Sequence, residues 1–182
     1  MKVATTKTAA KKTTTKAKKS APSAAEAKSP DAIKLLVADH REVHALFEQY
    51  KSLVEDEAEG EERQQLAESI CAMLVAHTTI EEEIFYPAAR DALDEEDLLD
   101  EAEVEHASAK DLIAQIQSMG PDEDLYDAKV TVLGEYVDHH VEEEEKQMFP
   151  KCKKAKMDLA GLGEQLSARK AELVGAEEDT EE

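Results

Sequence analysis

The chain has 182 residues, 4% aromatic residues, no tryptophan and a formal net charge of −21 at pH 7. A chain of this length can bury a hydrophobic core without cross-links such as disulfides. The two cysteines form no CxxC pair, which argues against a disulfide scaffold and a thiolate zinc site. No apolar run approaches the ~20 residues of a membrane span, and the N-terminus lacks the apolar segment of a secretory signal. We therefore expect a cytoplasmic protein.

The first 29 residues are predicted to form a disordered basic arm. Residues 1–30 contain eight lysines and one acid, a balance of +7, so the remaining residues 31–182 carry the difference, −28. Lys, Thr, Ala and Ser dominate the arm, which cannot bury enough apolar surface to order itself. It could make weak electrostatic contact with nucleic acid, but a solubilising tail, or one lying against the acidic body, is the favoured interpretation.

Four amphipathic helices are predicted after the arm. The first begins near Pro30, which suits a first helical turn, and extends to about Glu57. The second follows the turn at Gly60 and continues until Pro87 disturbs it. In both helices apolar residues recur three and four positions apart, and a histidine falls within each apolar stripe.

The third and fourth helices repeat this pattern. The third opens within the acidic segment 94–97 and ends before Gly120-Pro121, and the fourth begins around Asp122 and continues to Pro150. A short additional helix could follow at 159–173. The predicted domains are a disordered basic arm at 1–29, a bundle at 30–157, and a short helix with an acidic tail at 158–182.

The helical region is an internal repeat. The stretch HTTIEEEIFYP at 77–87 returns 63 positions later as HVEEEEKQMFP at 140–150, and 66 positions separate His40 from His106. Short turns favour antiparallel neighbours, because each apolar stripe must be buried against another helix. We expect an all-α, up-down-up-down antiparallel four-helix bundle in which two helical hairpins face each other across an approximate two-fold axis.

Each copy of the repeated stretch has a His and a Glu four residues apart, which places an imidazole and a carboxylate on one helix face. A lone histidine on each partner helix should face each of these clips. A single buried His is usually a hydrogen-bonded core residue, but burying the whole set without a metal would leave groups unpaired at ~1 to 3 kcal/mol each. The predicted metal ligands are His40, His77, Glu81, His106, His140 and Glu144.

Imidazole and carboxylate donors without thiolates suit iron, manganese or zinc, and carboxylates that can bridge favour a pair of ions. Two non-haem iron ions fit best, with an oxo, hydroxo or water bridge between them. In this di-iron hypothesis His40 and His77 serve one ion, His106 and His140 serve the other, and Glu81 and Glu144 span both.

These residues resemble the hemerythrin family, specifically its HHE-type cation-binding branch, whose iron ligands follow the pattern H…HxxxE…H…HxxxE. The resemblance covers about residues 30–155, including the FYP and MFP endings, and all six positions match in order. Oxygen-carrying hemerythrins have a further His one turn before the third-helix histidine, where this chain has Ala102. The resemblance therefore implies an extra position for water, peroxide or a substitute ligand, for which Glu103, Tyr50 and Tyr136 are candidates.

Other polar residues near the clips have simpler interpretations. His44 either contacts the site or lies at the bundle boundary, and His139 points about 100° away from His140 and should be exposed. Cys71 and Cys152 are predicted to be a core and a surface residue, although a thiol near an oxidant-handling centre could be oxidised. Five glutamates are assigned to a solvated face: Glu82, Glu83, Glu142, Glu143 and Glu145.

The resemblance implies a non-haem di-iron binding protein that interacts with dioxygen, peroxide or nitric oxide, for storage, sensing or oxidative-stress protection. The alternative is a di-iron enzyme that decomposes peroxide or reduces nitric oxide, and the binding protein is favoured because the sequence shows no reductase partner domain. A ferritin-like oxidase would use Glu-x-x-His on two helices, and only Glu103-x-x-His106 fits. A DNA-associated protein using the basic arm is compatible with either function, and the oligomeric state stays open.

Overall fold

The computed structural model describes Met1, residues 30–94 and residues 96–178, so residues 2–29 of the predicted arm and residues 179–182 lie outside the described part. Within the described residues every regular element is helical, which confirms the predicted all-α class. None of the described helices is both long and apolar enough to cross a membrane. The elements, in chain order, are α1 (Ala32–Glu55), α2 (Gly60–Ile80), a first π turn (Glu81–Phe85), α3 (Tyr86–Ala92), α4 (Glu96–Gln117), α5 (Tyr126–Glu143), a second π turn (Glu144–Met148), α6 (Phe149–Ala155) and α7 (Leu159–Glu178).

Local sequence determines where α1 and α5 begin. Asp31 is the N-cap of α1, and its carboxylate accepts a hydrogen bond from the Lys34 backbone N–H at 3.1 Å. α1 ends at Glu55, slightly earlier than predicted, because Glu57 adopts a left-handed φ of 53°. α5 begins at Tyr126, a few residues later than predicted, directly after Leu125, which has a left-handed φ of 74°.

The two prolines of the repeated stretch do not end their helices. Pro87 and Pro150 lie in the first turn of α3 and α6, where a missing N–H costs little. In the first π turn the Tyr86 N–H donates to the Glu81 carbonyl, five residues back, and the second π turn repeats this bond. Each long helix therefore continues through its proline, with a widened turn that begins at Glu81 or Glu144.

The helices pack in the pairs that the repeat predicts. α1 packs against α2, α4 packs against α5, and further contacts join α1 to α5 and α2 to α4 around a common interior. α7 is longer than the short outer helix expected from the sequence, and it packs against α1, α2 and the first π turn with Leu166 fully buried. The described part of the bundle thus contains five long helical stretches, and α7 is an integral one.

The interior has two apolar clusters with a polar layer between them. Leu36 and Phe149 belong to one cluster, and Ile70 and Leu133 belong to the other. Along α1, α2, α4 and α5 the buried polar residues fall between the residues of the two clusters, so the polar layer crosses all four helices. Its members are Asp39, His40, His77, Thr78, Glu81, His106, His140 and Glu144.

Candidate metal centre

Four imidazole rings from four helices meet two glutamates in the polar layer. In a first group, the His40 Nε2 lies 3.2 Å from Glu144 Oε2, and the His77 Nε2 lies 3.2 Å from Glu81 Oε2. One nitrogen or carboxylate oxygen from each of these four residues lies within 4.8 Å of the others. The structure therefore brings four of the six predicted ligands together.

A second group combines Glu81 with the other two histidines. One donor atom from each of Glu81, His106 and His140 lies within 4.8 Å of the others, and the Nε2 atoms of the two histidines are 3.1 Å apart. The His106 Nε2 is 3.5 Å from Glu81 Oε2, and the His140 Nε2 is 3.7 Å from Glu144 Oε2. Each carboxylate thus contacts a histidine of both pairs, and all six predicted residues share one site.

Several of the inward-facing atoms are buried and have no hydrogen-bond partner. They are the Nε2 of His40 and His77, both carboxylate oxygens of Glu81 and the Oε2 of Glu144. The closest of these His and Glu atoms lie 3.2 Å apart without forming a hydrogen bond, so they remain unsatisfied. Each unpaired buried group costs about 1 to 3 kcal/mol. Imidazole nitrogens and carboxylate oxygens that face one space fit a bound iron, manganese or zinc ion.

Every one of the four histidines has a carboxylate on its outer ring nitrogen. When Nδ1 carries the proton and donates it to this carboxylate, the lone pair of Nε2 faces the interior of the site. The outer acids therefore select the ring orientation that a metal ligand needs. The pairs, with their nitrogen–oxygen distances, are His40 with Glu145 (3.0 Å), His77 with Asp39 (3.4 Å), His106 with Glu82 (3.0 Å) and His140 with Glu105 (2.8 Å).

These outer acids occupy matching places in the two repeats. Asp39 and Glu105 directly precede the lone histidines, whereas Glu82 and Glu145 directly follow the glutamates of the clips. Each acid before a lone histidine bonds the clip histidine of its own hairpin, and each acid after a clip bonds the lone histidine of the other hairpin. The repeat therefore encodes the support of the site as well as its ligand-type residues.

The assignment to a solvated face is incomplete for Glu82, which is half-buried, and for Glu145, which is exposed but also contacts the site. Their side chains are 33% and 38% exposed, yet their carboxylates reach buried imidazoles, because neighbouring helices bring those rings to the flank of each clip. The surface assignment fits Glu83, which pairs with Arg169 at 2.7 Å. Glu142 is also a surface residue and pairs with Lys146, whereas Glu143 is half-buried and lies 4.0 Å from His139.

Two of the outer acids are in turn held by lysines. Lys170, on α7, donates to Asp39 at 2.7 Å, and Lys110 donates to Glu82 at 2.6 Å. Burial raises the pKa of Asp39, but hydrogen bonds from His77 and Lys170 outweigh burial and lower it. The pKa of Glu82 is lowered by Lys110 in the same way, so both acids stay ionised and act as acceptors.

The histidines lie in a strongly negative environment. Burial lowers the pKa of His77, but nearby carboxylates, with Glu81 foremost, outweigh burial and raise the pKa to about 10. The pKa of His140 is likewise raised, because Glu105 outweighs burial. For His106 burial prevails and the pKa is lowered. In the absence of a metal, this site therefore holds protons that a cation would displace.

Tyr86 is a site residue that sequence reasoning missed. Its O–H donates to Glu144 Oε1 at 3.0 Å, and its oxygen lies 3.2 Å from His106 Nε2 and 3.3 Å from His140 Nε2. Burial and the nearby carboxylates raise the pKa of Tyr86 well above its ordinary value, so the hydroxyl keeps its proton in the metal-free protein. The one sequence signal was the FYP ending of the first clip.

The three candidates for the ligand position left open at Ala102 have other surroundings. Tyr50 donates its O–H to Asp127 at 2.6 Å, Glu103 forms a surface ion pair with an arginine, and Tyr136 is 51% exposed. Ala102 itself is buried in an apolar cluster. Tyr86, which was not among the candidates, brings a hydroxyl oxygen to the cluster.

Tyr86 and Phe149 occupy equivalent places in the repeat and make its two halves unequal. The Tyr86 ring stacks on His106 with ring centres 5.3 Å apart, and the Phe149 ring stacks on His40 with ring centres 5.9 Å apart. Only the tyrosine carries a hydroxyl. The half with His106 and His140 therefore has an oxygen donor that the half with His40 does not.

A cavity of about 30 Å³ adjoins the four histidines. This volume holds roughly two water-sized molecules. Apart from the histidines, Asp39, Glu105, Thr78 and Tyr136, its lining is apolar and consists of Val43, Met73, Leu74, Ala109, Val137 and Val141. Its size and lining suit a small, weakly polar ligand.

The remaining predicted residues lie away from the cluster. His139 is 64% exposed, as predicted, and His44 is 59% exposed and bonds Asp138 at 3.2 Å, which places it at the bundle boundary. Cys71 is buried, as predicted, but the surface assignment of Cys152 is wrong, because α6 turns it into an apolar cluster. Burial raises the pKa of both thiols to about 11.

The fold and the site define a helical protein with a buried His/Glu cluster suited to cations. A family model described as the hemerythrin HHE cation binding domain matches residues 31–152. The chain therefore belongs to this family of metal-binding helical proteins, which confirms the resemblance seen in the sequence. A solved structure of a hemerythrin HHE cation binding domain-containing protein from Mycobacterium kansasii is similar, with a TM-score of 0.66 and 26% identity, covering 81% of this chain and 89% of that chain. No curated protein matches the chain.

Proposed function

We propose that this chain binds two non-haem iron ions and interacts through them with dioxygen, peroxide or nitric oxide. The observation that carries the proposal is the set of buried imidazole and carboxylate atoms that lack partners and face one space. Iron held by such donors supplies one-electron redox chemistry and affinity for these small ligands. In the proposed assignment, His40 and His77 hold one ion, His106 and His140 hold the other, and Glu81 and Glu144 are shared.

The residues of the chain prepare the site before any ligand arrives. The four outer acids orient the imidazoles, and the two apolar clusters shield the polar layer from bulk water on both sides. The small cavity admits only molecules of a few atoms. These features support storage, sensing or oxidative-stress protection by a binding protein, carried by an up-down-up-down core of α1, α2, α4 and α5 with α7 added.

Peroxide decomposition is the second candidate, and Tyr86 is the observation that favours it. Conversion of two peroxide molecules to dioxygen and two waters requires a group that gives and takes back a proton. In this proposal the Tyr86 O–H, 3.0 Å from Glu144 Oε1, would give its proton to a peroxide oxygen in the metal-loaded site and regain one from the next peroxide. The binding function remains the first proposal, because it requires only the cluster itself.

Metal analysis of the full chain, purified without added metal, tests the primary proposal. We expect about two iron ions per chain, with most of this content lost in His77→Ala and His140→Ala. His44→Ala is the matched control, since this histidine is 59% exposed and bonds Asp138 outside the cluster. Absence of a transition metal from the wild-type chain, or full metal content in both cluster variants, contradicts the proposal.

Gas evolution and visible absorption separate the two candidate activities. A binding protein predicts an absorption change on oxygenation that reverses when oxygen is removed. A peroxide-decomposing enzyme predicts oxygen release from peroxide that disappears in Glu144→Ala. If the iron-loaded chain gives neither signal, only the metal-binding part of the proposal stands.

The basic arm supports a separate proposal of weak nucleic-acid contact. Residues 1–30 carry a balance of +7 next to an acidic body. Salt-sensitive DNA binding by the full chain, lost on removal of residues 1–29 with iron content unchanged, would support both this contact and the domain boundary. Loss of iron in the truncated chain would show that the boundary is misplaced.

A further inference from the structure

A second His/Glu clip lies on the outer face of α5, one residue before the inward clip. His139 and Glu143 are four residues apart, as are His140 and Glu144. The His139 Nε2 lies 4.0 Å from Glu143 Oε1, and these two side chains are 64% and 25% exposed. The two clips therefore run side by side along the helix, one facing the interior and the other facing solvent.

Glu105, from α4, connects the two clips. Its Oε2 accepts from His140 Nδ1 at 2.8 Å, and its Oε1 lies 3.5 Å from the His139 Nε2. One donor atom from each of Glu105, His139 and Glu143 lies within 4.8 Å of the others. Ligand bonds of about 2.1 Å place neighbouring donors roughly 3.4 Å apart, so small side-chain rotations would close these three around one ion.

One member of the outer group, Glu105, lies in the wall of the cavity beside the buried histidines. Glu105 lines this cavity together with His106 and His140, and the half-exposed Tyr136 also contributes to the wall. The predicted ligands of the buried centre are themselves almost inaccessible to solvent. A cation held by the outer group would therefore lie within one carboxylate of the buried site.

We propose that Glu105, His139 and Glu143 form an outer site for a divalent cation and supply the buried centre with its metal. One imidazole and two carboxylates suit ferrous iron, manganese, cobalt or zinc better than calcium, which prefers oxygen donors alone. The net charge of −21 raises the local concentration of cations at such a site. The loading role rests on the proposed function of the buried centre, whereas the outer site itself does not.

Cobalt(II) titration of the metal-free full chain tests the outer site. By equilibrium dialysis we expect three cobalt ions per wild-type chain, and two in each of His139→Ala and Glu143→Gln. Glu142→Gln is the matched control, because Glu142 is exposed, pairs with Lys146 and should still allow three. If His139→Ala and Glu143→Gln both bind as many ions as the wild type, the outer site is overturned.

Rapid-mixing kinetics test the loading role. At ferrous iron concentrations near that of the protein, uptake into the buried centre should slow about three- to tenfold in His139→Ala, with an unchanged final content. Unchanged uptake rates would overturn the loading role. His77→Ala separates the outer site from the proposed function. This variant should lose metal from the buried centre but keep the outer ion. If it instead keeps all of its buried metal, the result counts against the proposed function alone.

Discussion

Tyr86 gives the two halves of a repeated site different chemistry. Its hydroxyl contacts His106, His140 and Glu144, whereas the phenyl ring of Phe149 at the matching place offers no polar atom. Two ions bound in this cluster would thus have unequal surroundings. This asymmetry arises because one repeat has tyrosine where the other has phenylalanine.

Replacing Tyr86 with Phe should remove this difference while retaining the packing of the ring. In the metal-free protein Glu144 Oε1 would lose its donor, and we expect the free energy of unfolding to fall by about 1 to 3 kcal/mol in urea denaturation. In the iron-loaded protein the visible absorption spectrum should change. Tyr136→Phe is the control, since that side chain is 51% exposed, and an equal effect of both variants would rule out the role given to Tyr86.

The raised pKa of His77 predicts how the metal-free protein responds to pH. The pKa is about 10 in the folded chain, against an ordinary value of 6.5. A group with a raised folded pKa contributes stability that is fully present below the unfolded value and is lost as the pH rises through the folded value. The free energy of unfolding of the metal-free protein should therefore decrease between about pH 6.5 and about pH 10.

Urea denaturation across this pH range measures the effect. His77→Gln should flatten the decrease, since glutamine does not titrate. Iron-loaded protein should also show a weaker decrease, because a metal ligand has already lost the proton from Nε2. A metal-free wild-type chain as stable at the alkaline end as at the neutral end would contradict the charge environment described for His77.

At the scale of elements, the first π turn explains why helical periodicity does not predict Tyr86 as a site residue. In an uninterrupted α-helix of 3.6 residues per turn, Tyr86 would lie about 140° around the axis from Glu81. The π turn accommodates one more residue between them and brings Tyr86 back towards the face of Glu81. Regular α-helical periodicity, continued from Glu81 to Tyr86, therefore places this side chain on the wrong face.

α7 is the second element whose role periodicity could not show. Its sequence has the composition of a surface helix, yet Leu166 is fully buried and Lys170 holds Asp39, the acid on His77. α7 lies beyond the segment 31–152 that the family model matches. It therefore supports the His77 side of the polar layer from outside the matched region.

Two glycines of α7 provide a matched test of this support. A Cβ at Gly163 would lie 2.1 Å from the Pro30 carbonyl oxygen and 2.8 Å from the Ala32 nitrogen, whereas a Cβ at Gly175 would have no neighbour within 4 Å. We expect Gly163→Ala to destabilise the chain by about 1 to 3 kcal/mol, because backbone atoms must move.

Gly175→Ala should be neutral or stabilising by up to about 1 kcal/mol through helix propensity. Thermal and urea denaturation of both variants measures the difference. If Gly163→Ala is as well tolerated as Gly175→Ala, then α7 does not pack closely on the start of α1. The support of Asp39 would lose its structural basis.

At the scale of the whole molecule, the sequence identified the ligand-type residues because the repeat made them visible twice. Four histidines and two glutamates fell in apolar stripes at matching offsets, so burial and convergence followed from helix geometry alone. The outer acids were hidden for a different reason. Periodicity predicts which face of a helix is buried, but Glu82 and Glu145 lie on flanks whose partners depend on how neighbouring helices are placed.

Both the acidic character of the molecule and its buried polar layer predict that a bound cation stabilises the fold. A net charge of −21 creates self-repulsion in the folded chain, and the layer contains unpaired nitrogen and carboxylate oxygen atoms that cost free energy while no cation is present. Removing the metal should therefore lower the melting temperature. Added salt should restore part of the loss by screening the repulsion, but it cannot satisfy the buried atoms.

Calorimetry of the chelator-treated protein, with and without ferrous iron, measures the size of this response. Free metal at 100 times its dissociation constant should add about 2.7 kcal/mol per site to the free energy of unfolding. His77→Ala should respond less to iron and as strongly as the wild type to salt, which separates the specific contribution from the general one. Equal melting temperatures for the metal-free and iron-loaded wild type would mean that the buried His/Glu cluster is satisfied without a cation.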